Sequence, residues 1–458
     1  MIPSGFILGF TINRRAKGVR VWRLLLASLL VLACLGPVPA IGVEVYLNVE
    51  RSQGRLLGMA IPRFSPDGVS GDALEYSHQM ARILTQDLNL YGYFAFVENQ
   101  DFLREATATD RKAGRIVFKE WAEIGAQMLV KGSYHMADGQ LVMDARLFDV
   151  DRGLQITGRR YTGAPTSIRL MVHKLADEII YRLTGERGIA QTKIAFTSRY
   201  RGMKEIFIMD YDGNSPQQVT ADSSIVINPA WSPDGRFIAY TSYRDGNPDL
   251  YVMDWTGWNK RVLSRAAGLN ASSAWHPDGK RLAVVMSLEG DTEIYVVRLD
   301  GHVERRLTRN RGIIDTSPTW SPNGRQVAFV SDRSGTPQIY VMDSDGTNIR
   351  RLTFEGAYNA EPAWSPKGDR IAFISRRDGL FDVHTMNSDG SGVVRLTHGE
   401  GSNESPMWSP DGRYLVFSST RARGIPDIYL MRTDGSAQRR LTYLAGGGSD
   451  PVWSPRLE

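Results

Sequence analysis

Three groups of residues in this sequence have types that could do chemistry: seven histidines, a series of Asp-x-Asp-Gly loops, and polar residues at fixed offsets before recurrent tryptophans. The histidines (His78, His135, His173, His276, His302, His384 and His398) stand singly in turn, strand or helix patterns, without metal-ligand spacing. Asp210-Tyr211-Asp212-Gly213 and Asp343-Ser344-Asp345-Gly346 resemble the start of a calcium loop. Such a loop needs a bidentate Glu at its twelfth position, where Ala221 and Phe354 stand instead. Other copies decay to Arg298-Leu299-Asp300-Gly301 and Asn387-Ser388-Asp389-Gly390, so the loops read as hairpin turns. A Gly-x-Ser-x-Gly elbow is missing, and Gly446-Gly447-Gly448 reads as a connection rather than a phosphate cradle. The expectation is a protein that is not an enzyme, with no metal and no cofactor.

The third group is more informative. Three residues before each of six tryptophans stand Asn228, Ser272, Ser317, Glu361, Ser405 and Asp450; five before stand Asn270, Asp315, Asn359 and Asn403 in the four central copies. If these residues begin the innermost strands of a closed repeat, they should ring one mouth of an axial channel. Asn and Asp also satisfy turn backbones. A rigid scaffold presenting varied loop residues at one mouth nevertheless marks that face as the recognition surface.

The scaffold is legible from the tryptophans. Trp231, Trp275, Trp320, Trp364, Trp408 and Trp453 are spaced by 44, 45, 44, 44 and 45 residues. Each opens a Trp-x-Pro motif, and in five copies turn residues such as Asp234-Gly235 follow. Short apolar runs come next, such as Ile238-Ala239-Tyr240-Thr241-Ser242 and Ile339-Tyr340-Val341-Met342, and most units end in Leu-Thr, as at Leu352-Thr353. Four short strands on this period predict an all-β, six-bladed β-propeller over residues 191–458, with four antiparallel strands per blade. The sixth Trp motif stops at Glu458 with a first strand only, while Ile194-Ala195-Phe196-Thr197-Ser198 to Val219-Thr220 supplies strands two to four without one. The C-terminal strand should therefore close the ring.

Residues 41–190 read as an α/β N-terminal domain. Leu74, Ala81, Leu84 and Leu88 form one helical face, opened by polar residues near Ser70-Gly71-Asp72. Ile168, Met171, Val172, Leu175, Ile179 and Leu183 form another, with Gly185 as C-cap. Strands are expected over 128–134, 140–149 and 153–161. Ser65-Pro66-Asp67-Gly68 mimics a blade turn but lacks the Trp. Residues 1–40 hold Arg14, Arg15, Lys17, Arg20 and Arg23 and no acid, followed by an apolar run and Val38-Pro39-Ala40. This reads as an export signal cleaved after Ala40; the box around Cys34 fits lipidation poorly because Leu32 stands in it. The signal carries the whole formal charge of +5, so bulk charge gives no argument for a nucleic-acid partner.

Signal, α/β domain and six Trp-Ser-Pro-Asp-Gly…Ile-Ala-Phe-x-Ser…Arg-Leu-Thr units together resemble the TolB family, the periplasmic component of the Tol-Pal envelope system of Gram-negative bacteria. The resemblance covers the chain beyond the signal. It implies a monomeric, non-enzymatic adaptor, peripheral to the outer membrane, supporting outer-membrane integrity and constriction at cell division. It implies that the propeller mouth binds the peptidoglycan-associated lipoprotein Pal, with Leu269, Asn270, Ser272 and Thr316 at the family's contact loops. Asp315, Asn359, Glu361, Asn403 and Asp450 complete the expected mouth. Leu269 departs from a His that family members can carry there. The segment Ile41 to Val49, with Val43, Glu44, Val45, Tyr46 and Leu47 at its centre, is then the strand that engages TolA, by addition to a partner sheet. The alternative is a periplasmic glycan-binding or glycan-cleaving propeller using the same mouth. Only Glu361, Asp315 and Asp450 are acidic there, with no His beside them, which argues against a metal lyase.

Overall fold

The computed structural model describes residues 56–67 and 74–457. In the N-terminal part, β1 (Leu57–Ala60) lies parallel between β3 (Phe94–Phe96) and β4 (Met128–Ala137); β2 (Ser65–Pro66) also pairs with β4. β5 (Gln140–Asp149) and β6 (Leu154–Gly163) extend the sheet antiparallel. Helix α1 (Leu74–Leu90) turns Met80, Ile83, Leu84 and Leu88 inward. The last helix, Ile168–Thr184, buries Ile168, Met171, Val172, Leu175, Ile179 and Leu183 on one face and ends at Gly185, which takes φ 75°. Both apolar stripes join one core with the sheet. The two strongest helices and the three long strands thus stand where the apolar periodicity places them, and Ser65-Pro66 is no blade turn.

The sequence pattern did not mark β1, β2, β3, α2 (Gln100–Ala113) or α3 (Phe118–Glu123). α2 buries only Leu103, Ala106 and Asp110, so few apolar residues mark it. Its caps are nevertheless ordinary chemistry, with the Asn99 side chain accepting from Asp101 and Phe102 N–H and Gly114 left-handed. The polar opening near Ser70-Gly71-Asp72 lies outside the described residues. Among those described, no helix is long and apolar enough to cross a membrane.

From Lys193 onward the chain forms six four-stranded antiparallel sheets. The Trp231 blade, for example, runs Val226–Trp231, Phe237–Ser242, Asp249–Asp254 and Arg261–Ser264, from the axis outward. Neighbouring blades interlock by size. Trp231 packs in one cluster with Ala195, Trp275 with Ala239, Trp320 with Ala283, Trp364 with Ala328 and Trp408 with Ala372, each Ala lying on the second strand of the preceding blade. A large ring on one face of the seam thus meets a methyl on the other, which keeps the interior close-packed. Trp275 and Trp408 also donate their indole N–H to Ala230 and Ala363 carbonyls in the preceding blade, at 3.0 and 2.9 Å.

The ring closes as the array ends required. Ser449–Trp453 pairs with Lys193–Tyr200, with Trp453 opposite Ile194 and Val452 opposite Ala195. Lys193 N–H donates to Ser454 Oγ and Ser454 N–H to the Lys193 carbonyl, at 2.9 and 2.8 Å. Trp453 Nε1 donates to Thr192 Oγ1 at 2.8 Å. Removing residues 449–458 is expected to bare the Ile194 edge and abolish cooperative unfolding, with aggregation during size exclusion. Trp453→Ala, which keeps the strand, should lower stability by about 3–5 kcal/mol in urea denaturation.

Candidate functional site: the propeller mouth

Each innermost strand carries the same irregularity. Its pairing slips two to four residues before the Trp, and the residue three before it is left-handed: Asn228, Ser272, Ser317, Glu361, Ser405 and Asp450 have φ between 48° and 54°. A bulge of this kind re-aims a side chain and leaves one backbone N–H without a ladder partner. Pro229, Pro318, Pro362, Pro406 and Pro451 follow directly, and proline has no N–H to leave unpaired. All six left-handed residues line the axial channel, a cavity of about 170 Å³. The ring expected at three residues before each Trp is therefore present.

Glu361 dominates this channel electrostatically. Its Oε2 accepts the Ser405 N–H at 2.7 Å, while burial, with the Glu404 and Asp450 carboxylates adding to it, pushes its carboxyl up to about 7. The floor of the mouth thus holds a proton in the neutral range.

The residues five before each Trp do not ring the mouth. Asn270, Asp315, Asn359 and Asn403 are at most 1 % exposed. Asn270 accepts from Ser264 Oγ at 2.7 Å and donates to the Ala266 carbonyl at 2.7 Å. Asp315 receives Arg333 Nη2 at 3.0 Å on both oxygens. Asn359 donates to Gln338 Oε1 and Asn403 to Asp382 Oδ1 of the preceding blade, at 2.8 and 3.2 Å. The bulge lies between the two positions, so residues before it stay inside the blade and tie down the incoming loop. Leu269 and Thr316, beside them, are half-buried. Ala40 and the segment Val43, Glu44, Val45, Tyr46 and Leu47 lie outside the described residues.

Sequence reasoning missed a second cluster, at the opposite end of the propeller, where the N-terminal part packs on it. Asp87 of α1 is fully buried; its Oδ2 lies 2.7 Å from His173 Nδ1 of the last helix, and Tyr211 of the Trp453 blade donates to its Oδ1 at 2.6 Å. Arg169 bridges to Asp210 and Asp212 at 3.1 and 2.6 Å. Tyr414 hydroxyl meets the Leu90 carbonyl, and Arg413 meets Tyr93 and Glu186. Burial raises the Asp87 carboxyl against the pull of His173 and Tyr211, and burial holds Tyr211 well above its usual range, as a neutral donor. Asp87, His173 and Asp212 are close enough to share a cation, but Arg169 already neutralises Asp212. The available signal was polarity inside apolar stripes: Asp87 beside Leu88, and His173 between Val172 and Leu175.

Comparison with known proteins agrees with this architecture. The sequence profile described as "TolB beta propeller domain" matches residues 180–457, and "TolB amino-terminal domain" matches residues 45–156. The Tol-Pal system protein TolB of Desulfosudis oleivorans is 41% identical over 213 residues, 46% of this chain and 49% of that protein. That of Geobacter sulfurreducens is 42% identical over 223 residues, 48% of this chain and 50% of its own. The matched stretch thus spans about half the length of these curated relatives. The crystal structure of TolB from Acinetobacter baumannii superposes with a TM-score of 0.73 at 27% identity, covering 88% of this chain and 97% of that one. The chain belongs to the TolB family.

The channel proton gives a prediction. An acid whose folded pKa is raised holds more protons folded than unfolded, so its contribution to stability falls as pH rises from its unfolded value through about 7. Glu361→Gln keeps an oxygen acceptor for Ser405 and removes the charge. Its stability relative to the parent should be about 2–3 kcal/mol greater at pH 8 than at pH 5 by denaturant titration. An equal difference at both pH values would show that Glu361 does not titrate there.

Proposed function

We propose that this member of the TolB family is a non-enzymatic periplasmic adaptor of the Tol-Pal system. It binds Pal at the propeller mouth and TolA through the segment around Val43 to Leu47, and so supports outer-membrane integrity and constriction at cell division. The signal ending at Ala40 takes it to the periplasm, where it acts as a monomer, attached to the outer membrane only through Pal.

One observation carries the reading: exposed apolar side chains crowd the loops at the mouth. Ile225, Leu288, Ile314, Phe354, Leu380 and Tyr443 are 38–75% exposed. Large exposed apolar and aromatic groups around a rigid rim favour a protein partner, since they form the desolvated centre of an interface. Leu269 and Thr316 lie on the same rim, whereas Asn270, Asp315 and Asn403 brace the loops from beneath. The opposite end holds the N-terminal part through the Asp87–His173–Tyr211 cluster. Occupancy of the mouth is then linked to the state of the N-terminal segment through the propeller, and TolA affinity depends on Pal.

Leu269→Glu and Thr316→Glu place unpaired charge in that interface. Each should weaken binding of purified Pal at least tenfold by calorimetry, with an unchanged unfolding midpoint. Wild-type-like binding, or capture of glycan and no Pal, would sink the assignment. TolA affinity measured with and without saturating Pal tests the linkage; equal values would remove it.

A further inference from the structure

The repeat contains a device that the Trp364 blade lacks. In the Trp320 and Trp408 blades, an arginine two residues after the second strand's terminal Ser folds back into the blade. Arg421 Nε donates to Ser419 Oγ at 2.9 Å and its Nη2 to Asn403 Oδ1 at 2.8 Å, while its guanidinium lies 5.4 and 4.9 Å from the Phe417 and Tyr429 ring centres. Arg333 does the same with Ser331 Oγ at 2.8 Å, with Asp315, and over Phe329 and Tyr340. Each is a guanidinium site: two acceptors and an aromatic floor.

In the Trp364 blade the site is built and its arginine is elsewhere. Ser375, Asn359 and Phe373 occupy the positions of Ser419, Asn403 and Phe417, and His384, stacked on Phe373 at 5.4 Å, replaces the tyrosine. Burial lowers the His384 pKa, so the floor stays uncharged at neutral pH. Asn359 spends its amide N–H groups on Gln338 Oε1 and the Glu355 carbonyl, both at 2.8 Å, which leaves Oδ1 toward the site. Among the described residues, neither Asn359 Oδ1 nor Ser375 Oγ receives a hydrogen bond. The backbone explains why. In the two template blades the pairing of second and third strands ends at Ser331 with Gln338 and at Ser419 with Asp427, leaving loops long enough to bring the arginine back. Here the ladder runs on through Arg376 with Phe381 and Arg377 with Leu380, closing at Asp378-Gly379 with φ 51° and 87°. Arg377 is thereby exposed at the edge of the site rather than folded onto Ser375 and Asn359. A cleft of about 630 Å³ remains, lined by these residues together with Phe354 and Glu355.

We propose that this cleft takes a guanidinium from outside: an arginine side chain of a polypeptide docked on the mouth face. Two occupied copies in the same chain supply the geometry, and Glu355, which lines the cleft, carries the complementary charge. Arg376 and Arg377 also border the cleft, so a carboxylate is the rival guest. The inference holds whichever polypeptide docks there.

The full chain, titrated with N-acetyl-arginine methylamide and with its neutral isostere N-acetyl-citrulline methylamide, separates the cases. The arginine compound should bind about tenfold more tightly, with NMR shifts centred on Phe373, Ser375 and His384. Ser375→Ala should weaken it about tenfold. Should that variant misfold, the discrimination between the two compounds on the unaltered chain decides alone. Equal affinity for the two compounds, tighter binding of N-acetyl-aspartate methylamide, or a crystal structure with the Arg377 guanidinium seated on Ser375 and Asn359 would each overturn the proposal.

Discussion

Everything in this molecule depends on the pairing of its last strand with the first strand of the propeller. Until Ser449–Trp453 lies beside Lys193–Tyr200, both carry an open edge and the channel has no sixth wall. The contact joins residues some 260 positions apart, so its loop-closure entropy must be met by packing at the seam. Trp453 meets that cost with a buried ring and an indole N–H on Thr192, and Arg456 adds a bond from its Nε to the Gly188 carbonyl at 2.9 Å. Gly188 lies in the connection between the last helix of the N-terminal part and the first propeller strand. Ring closure and the connection to the N-terminal part therefore share residues.

The closed ring imposes a common strain on its inner strands. Six strands converge on a narrow axis, and each relieves the crowding with a bulge whose left-handed residue costs roughly 1–2 kcal/mol outside glycine. That cost is tolerated where the residue is Asn, Asp, Ser or Glu, and the same geometry points each of these side chains into the channel. Backbone strain and the polar lining of the mouth are thus one feature, not two. The bulge also explains which readings of the sequence succeeded. Period, blade order, closure and the polar ring at Asn228 to Asp450 depend on residue type and spacing and were legible. The fate of Asn270, Asp315, Asn359 and Asn403 depends on which way a side chain turns two residues upstream of a register slip. Spacing alone does not carry that information.

The N-terminal part was legible where a helix carries many apolar residues, as in Ile168–Thr184, and lost where it carries few, as in Gln100–Ala113. Its attachment to the propeller was lost for another reason. Asp87 and His173 lie on different helices, and Tyr211 lies in a third-turn loop that resembles all the others in the repeat. As members of separate local patterns each looked like noise, a polar residue in an apolar stripe or one more hairpin. Only the tertiary contact makes them a cluster, and with it a buried polar tie between the N-terminal part and the end of the propeller opposite the mouth.

Repeats are informative chiefly through their departures. An arginine folded over a Phe–Tyr pair is a satisfied, largely buried group in the Trp320 and Trp408 blades, and in the Trp364 blade, where the ladder is longer, the acceptors stand without it. Two further backbone pairs, Arg376 with Phe381 and Arg377 with Leu380, decide this, and neither involves the acceptors themselves. The Trp453 blade has the same extended hairpin, Arg199 with Lys204 and Tyr200 with Met203, yet there Ser198 Oγ is engaged, donating to the Gly447 carbonyl at 2.7 Å. Gly448 stands where the four central blades carry Asn or Asp, so no second acceptor remains. Hairpin length therefore empties the slot, and in the Trp364 blade it coincides with a Ser375 Oγ and an Asn359 Oδ1 that receive no hydrogen bond among the described residues, on the face where the exposed apolar groups gather.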